Sequence, residues 1–190
     1  MLRYRTAYRV IYGDTDQMGV AYYANYLRWF EMGRTEMFRR LGVTYGEIEA
    51  QGIALPVLEA FCKYHQPARY DDVIVVETIL DPAVRAGMKF DYRVFRESDG
   101  GAGTGESGGD RPFPSNPVPK TGRVAGAPLL AEGYTRHACL NRKGRVVRPP
   151  AFLTEAIAAA KARHAAAAGS AEGESSFKKR ERSATSKAQS

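Results

Sequence analysis

What most constrains this chain is one long helical period followed by strand periods alone. From Asn25 to Leu41, the residues Leu27, Phe30, Arg34, Met37, Phe38 and Leu41 recur at three- and four-residue steps, with Arg28, Glu31, Glu36, Arg39 and Arg40 mostly elsewhere. That stripe predicts an amphipathic helix. Gly42 suits the position just past its last turn. Gly33 is costly inside a helix on propensity alone and makes sense where a sheet passes close by. A short helix is expected at Tyr45–Gln51. Strand-like runs then follow one another at Ala54–Tyr64, Val73–Leu80, Met88–Arg96 and Leu129–Asn141. A turn at Asn141–Gly144 leads to a short last strand, Arg145–Val147, and an Ala-rich helix is expected at Phe152–Arg163. At the other end, Tyr4–Tyr12 reads as a strand with Tyr8, Val10 and Tyr12 on one face. One helix and then adjacent strands, without βαβ alternation, predicts an α+β domain built on an antiparallel sheet.

The chain has 190 residues, 44% of them hydrophobic, which suits one core rather than two. No apolar run reaches the roughly 18 residues of a membrane-spanning helix, and the first residues lack the apolar stretch of a secretory signal. Cys62 and Cys139 each sit in an apolar strand-like run, where a free cysteine behaves as a small buried hydrophobe. No Cys or His spacing suggests a metal site. A cytoplasmic, reduced protein without cofactor is the expectation.

Two segments fall outside the domain pattern. Residues 98–128 hold eight Gly and five Pro among 31 residues and interrupt a hairpin between Val94-Phe95 and Leu129-Leu130. This is a low-complexity insertion, cheap to carry because loop entropy grows slowly with length. Residues 165–190 read as a flexible basic tail. The expected organisation is therefore one domain over 1–164, interrupted at 98–128, followed by the tail. Of the net charge of +7, the tail carries +2 and the insertion none, so the rest of the chain carries +5. A basic body suits nucleic acid, an anionic surface or a phosphorylated small molecule. No aromatic-basic recognition motif supports nucleic acid.

The chemistry-bearing stretch is Tyr12 to Tyr26, with two carboxylates, a turn glycine and three tyrosines directly before the helix. A carboxylate beside a helix N-terminus can act on a polarised carbonyl. It attacks or activates water, and free backbone N–H groups steady the oxygen. Asn25 is a strong N-cap type. On the residues alone, Asp14 and Asp16 are better read as turn residues binding local N–H groups, and at least one of Tyr22, Tyr23 and Tyr26 as ordinary packing or interface burial.

The pattern G-D-x-D-x-x-G-x-x-x-Y-x-N-Y, here Gly13 to Tyr26, resembles the signature of the 4-hydroxybenzoyl-CoA thioesterase family and its short-chain acyl-CoA relatives. The likeness runs from about Tyr4 to Pro150. It implies a hotdog fold, with the helix wrapped by the sheet, and a homodimer or homotetramer. It implies an acyl-CoA thioesterase, or one acting on acyl carrier protein thioesters, with Asp16 as the catalytic carboxylate. Backbone N–H groups at Tyr23, Ala24 and Asn25 would polarise the carbonyl, and Asp14 and Gly19 would shape the loop. Many short-chain relatives carry His where Tyr23 stands, so an Asp–His mechanism is not expected. For coenzyme A phosphates the candidates are Arg85, Lys89, Arg142, Lys143 and Arg145, which no motif fixes individually. A non-catalytic acyl-CoA-binding or regulatory protein on the same fold is the alternative.

Overall fold

The computed structural model describes residues 1–81, 87–97 and 124–163. Arg85, residues 98–123 of the insertion and the whole tail therefore lie outside the described residues. The five strands are β1 (Leu2–Arg9), β2 (Val57–Tyr64), β3 (Val73–Asp81), β4 (Gly87–Arg96) and β5 (Leu129–Ala138). They form one sheet in the order β1-β3-β4-β5-β2, and every neighbouring pair is antiparallel. The α+β expectation holds. β4 and β5 pair directly, with Phe95 opposite Leu129, so the insertion does join neighbouring strands.

Helix α1 (Asn25–Leu41) lies on one face of this sheet, and Gly42 ends it in a left-handed conformation at φ 80. It buries Tyr26, Trp29, Phe30, Met37, Phe38 and Leu41 against Ile74, Val76 and Leu80 of β3 and Phe90, Tyr92 and Val94 of β4. Leu27, expected in the stripe, is 40% exposed. Trp29 takes its place because the core covers a broader arc of the helix than the six-residue stripe. Gly33 is where helix and sheet come closest. A Cβ there would stand 2.5 Å from Thr78 Oγ1 and 2.9 Å from Val76 Cγ1.

Helix α2 (Tyr45–Ala50) starts with a capping box in which Thr44 and Glu47 satisfy each other's backbone N–H. The last helix, α3, spans residues 151–163 and buries Leu153 and Ala160. Three boundaries differ from the sequence reading. β1 ends at Arg9, and Tyr12 falls in a 3-10 turn, Tyr12–Asp14, because the Asp14 carboxylate caps the chain at Ile11. β2 begins at Val57 rather than Ala54, which makes only an isolated bridge to Leu140. The expected strand Arg145–Val147 is a single bridge, Leu140 to Val146, because Asn141 folds the chain back through its own turn. His137 and Ala138, neighbours in β5, are both buried. His137 sits under α1, and Ala138 is enclosed between Gly87 and the Pro56 carbonyl.

Candidate active site

The loop between β1 and α1 is held as a small ladder. Asp16 N–H donates to the Val20 carbonyl at 3.0 Å, Tyr22 N–H to the Asp14 carbonyl at 2.8 Å, and Ala21 N–H to the Ala68 carbonyl at 2.8 Å. Gly19 sits at φ +69, where its missing Cβ matters, and its N–H donates to the Asp16 carbonyl at 2.9 Å. The loop is thereby closed back on Asp16.

The two carboxylates have different surroundings. Asp14 is 2% exposed. Its Oδ2 accepts from the Tyr8 hydroxyl at 2.7 Å and from Ile11 N–H at 3.0 Å, and Arg28 Nη1 stands 3.9 Å from Oδ1. Burial, and then the bond to Asp14, push the Tyr8 phenol up to about 12, so Tyr8 stays a donor. Asp16 is half-buried. Its Oδ1 accepts from Met18 N–H at 2.8 Å, and among the described residues Oδ2 has no hydrogen-bond partner. Asp14 is enclosed by donors, whereas Asp16 keeps one oxygen free at the surface of the loop.

Asn25 departs from its expected role. The N-cap is Ala24, in helical conformation and with no side-chain cap. Asn25 instead sends its Nδ2 to the Asp14 carbonyl at 2.8 Å and receives Arg28 Nη1 on Oδ1 at 3.0 Å. Local propensity favours a cap, but the buried carbonyl eleven residues back captures the amide. The Asn25 N–H is also occupied, donating to the Tyr22 carbonyl at 2.9 Å. Tyr26 N–H reaches the Tyr23 carbonyl at 3.3 Å and Leu27 N–H the Ala24 carbonyl at 3.2 Å. Of the three expected donors, the N–H groups of Tyr23 and Ala24 are those without an acceptor among the described residues. They lie at the exit of the loop that carries Asp16. The rings of Tyr22 and Tyr23 lie 4.5 Å apart, and both tyrosines are exposed.

A cleft of about 250 Å³ opens beside this loop, lined by Ala21, Tyr26, Tyr64, His65, Gln66 and Pro67. His65 also pairs with Glu132 at 3.0 Å. Of the other aromatic residues, Trp29 is core, and Phe61 stacks on Tyr134 at 5.6 Å on the sheet face away from α1. The link from Tyr64 to the loop escaped the sequence reading because its partner is 41 residues away.

Of the basic candidates, the described ones, Lys89, Arg142, Lys143 and Arg145, make no contact with Asp16. Lys89 pairs with Asp91 at 2.8 Å and lies over the Tyr134 ring. Arg142 reaches the Ala50 carbonyl at 3.4 Å, and Lys143 and Arg145 donate their backbone N–H groups to Asn141 Oδ1 at 3.0 and 3.1 Å. This turn follows the end of β5 that pairs with the start of β2, whereas Tyr64 and the Asp16 loop adjoin the other end of β2. Eight residues of strand separate the two ends, roughly 25 Å. Nor is the positive charge one continuous strip. Arg5, Arg3 and Arg93 stand 2.9, 3.6 and 3.9 Å from Glu77, a carboxylate only 1% exposed. Among the described residues no group of three His, Cys, Asp or Glu could hold a metal ion, and no helix is long and apolar enough to cross a membrane.

Residues 10–157 match the family model of the thioesterase-like superfamily. The chain belongs to that superfamily. It is 42% identical over 86 residues to a putative acyl-CoA thioesterase of Bacillus subtilis, a match covering 45% of this chain and 62% of that one. It is 38% identical over 91 residues to an acyl-CoA thioesterase of Haemophilus influenzae, covering 47% and 67%. A 1,4-dihydroxy-2-naphthoyl-CoA thioesterase from Synechocystis shares the fold with a TM-score of 0.62 at 18% identity, over 82% of this chain and 96% of that one. The architecture is thus the hotdog fold that the sequence resemblance implies.

Proposed function

We propose that this protein is an acyl-CoA thioesterase in which Asp16 is the reacting carboxylate. The observation that carries the reading is that one short loop holds an Asp16 oxygen and two backbone N–H groups, at Tyr23 and Ala24, that have no hydrogen-bond partner among the described residues. The names of the relatives agree with it. The thioester oxygen accepts from those N–H groups. Asp16 then either takes a proton from water as the water adds to the carbonyl carbon, or adds to that carbon itself and is released by water afterwards. In both routes the C–S bond breaks, a good leaving thiolate departs, and the products are a carboxylic acid and a thiol. One aimed donor is worth about 3–4 kcal/mol to such a transition state. Asp14 holds the loop rather than reacting, and the cleft beside Tyr26 and Tyr64 receives the acyl group.

The working unit in this reading is a dimer. Among the described residues β2 pairs only with β5, which leaves its outer edge open, and it exposes Val57, Leu58, Phe61 and Tyr64. An open edge of this kind invites a second strand. A two-fold pairing of β2 with its copy is antiparallel, so it lays the start of the partner's strand beside the end of this one. The basic turn around Lys143 and Arg145 then comes from the partner to the mouth of the Asp16 loop. Coenzyme A phosphates are its natural ligand, and an acidic carrier protein bearing the same thioester is a second.

The test is hydrolysis of a panel of acyl-CoAs by the wild type and by Asp16→Asn. The variant should lose about a thousandfold in kcat, the scale of a general base, while still binding acyl-CoA. Near-normal turnover by Asp16→Asn overturns the assignment. Binding without hydrolysis by the wild type favours the non-catalytic acyl-CoA-binding alternative.

A further inference from the structure

The edge strand touches the loop at one polar atom. Tyr64, the last residue of β2, donates its hydroxyl to the Tyr23 carbonyl at 3.1 Å. Its ring is fixed from behind by Tyr26, edge-on with centroids 5.1 Å apart, and Tyr26 is 2% exposed and accepts from Ala68 N–H at 3.0 Å. The Tyr23 carbonyl belongs to the peptide unit whose other end is the Ala24 N–H. Peptide units are planar, so anchoring the oxygen fixes the direction of the N–H. The remaining bond to that oxygen, from Tyr26 N–H, is long at 3.3 Å and forms part of an irregular first turn. Without the phenol, that long bond alone holds the Tyr23 carbonyl, and the 23–24 peptide can tilt and re-aim its N–H.

We infer that Tyr64 is a positioning residue, holding the 23–24 peptide so that the Ala24 N–H points at the reacting carbonyl oxygen. The inference rests on the thioesterase reading of the loop. Tyr64 touches no reacting atom and acts through the Tyr23 carbonyl. Burial, followed by the neighbouring Cys62 thiol, pushes its phenol up to about 12, so it remains a donor across any ordinary assay range. The arrangement couples β2 to the loop, and the strand carrying the open edge of the sheet also aims a donor of the site.

Tyr64→Phe keeps the ring against Tyr26 and removes the hydroxyl alone. Its kcat should fall about tenfold with KM little changed, a smaller loss than deleting an oxyanion donor outright, which costs about a hundredfold or more. A purely structural role would instead lower the unfolding midpoint or raise KM. The second measurement is the infrared carbonyl stretch of a non-hydrolysable ketone analogue of acyl-CoA bound to wild type and to Tyr64→Phe. The bound carbonyl should shift to lower frequency in the wild type and less so in the variant. This readout needs no turnover, so it separates the two ideas. A wild type that polarises the ketone but hydrolyses nothing would sink the thioesterase reading and leave the positioning role standing. An Asp16-dependent hydrolase in which Tyr64→Phe keeps wild-type kcat and the same carbonyl frequency would overturn the positioning role alone.

Discussion

Arg34 lies on the core side of α1, 7% exposed, and among the described residues no carboxylate pairs with it. Its Nε donates to the Tyr45 hydroxyl at 2.6 Å and its Nη1 to His137 Nε2 at 3.1 Å. His137 Nδ1 faces the Leu55 carbonyl at 3.1 Å. A guanidinium only donates and a carbonyl only accepts, so these partners fix His137 as neutral imidazole with its proton on Nδ1. Burial pulls its pKa below the usual imidazole value; the Leu55 bond opposes this and the Arg34 charge adds to it. The unfolded chain takes up this proton near pH 6.5, and the folded one only at lower pH. The stabilising contribution is therefore complete above about pH 6.5 and is lost as pH falls toward the folded value, by at most about 1.4 kcal/mol per pH unit. His137→Gln should be less stable than wild type at pH 8, and the gap should narrow toward pH 5. Urea midpoints at several pH values check this, and a constant gap would show that His137 does not titrate on unfolding.

Among the elements, the closest contact is α1 on β3 at Gly33. A methyl group there meets Thr78 Oγ1 at 2.5 Å and Val76 Cγ1 at 2.9 Å. Helix propensity favours Ala by about 1 kcal/mol, but overpacking a filled core costs about 1–3 kcal/mol. Gly33→Ala should therefore destabilise, by up to about 2 kcal/mol net of propensity. Adding Thr78→Ala should recover part of this, since it opens space and removes a buried hydroxyl that has no hydrogen-bond partner among the described residues. A stabilised Gly33→Ala in chemical denaturation would mean that helix and sheet are farther apart than described. This glycine was legible in the sequence because a mid-helix Gly conflicts with the period around it. The helix and the run of strands were legible for the same reason, namely that periodicity and turn residues act over a few positions, whereas the role expected of Asp16 came only from the family resemblance. What stayed hidden depends on distant partners. Asn25 looked like a cap until the Asp14 carbonyl claimed its amide, Arg34 looked like part of a helical stripe until His137 came beneath it, and the partner of Tyr64, the Tyr23 carbonyl, lies 41 residues away. No motif fixed the basic candidates, and the sheet carries the turn of Lys143 and Arg145 to the far end of β2 from the Asp16 loop.

For the whole molecule, that separation bears on function. Within one chain roughly 25 Å of strand lies between the Asp16 loop and the turn of Lys143 and Arg145. The open β2 edge offers a way to close the gap with a second copy. Two variants separate assembly from binding. Leu58→Glu puts a charge near the start of the exposed strand, where Leu58 is 68% exposed in the single chain. It should yield a monomer by light scattering and lose most acyl-CoA hydrolysis, even though Asp16, Tyr23 and Ala24 are untouched. Lys143→Ala with Arg145→Ala should remain dimeric and raise KM for acyl-CoA about fivefold, roughly one exposed ion pair, with kcat nearly unchanged. The same double variant should treat a truncated acyl-pantetheine like wild type, because that substrate lacks the phosphates. Added salt should weaken the acyl-CoA substrate more than the truncated one in the wild type, and this difference should shrink in the double variant, since exposed charges are screened within about 8–10 Å. A dimeric Leu58→Glu would move the interface away from β2. Equal losses on both substrates in the double variant would remove the turn from the nucleotide site.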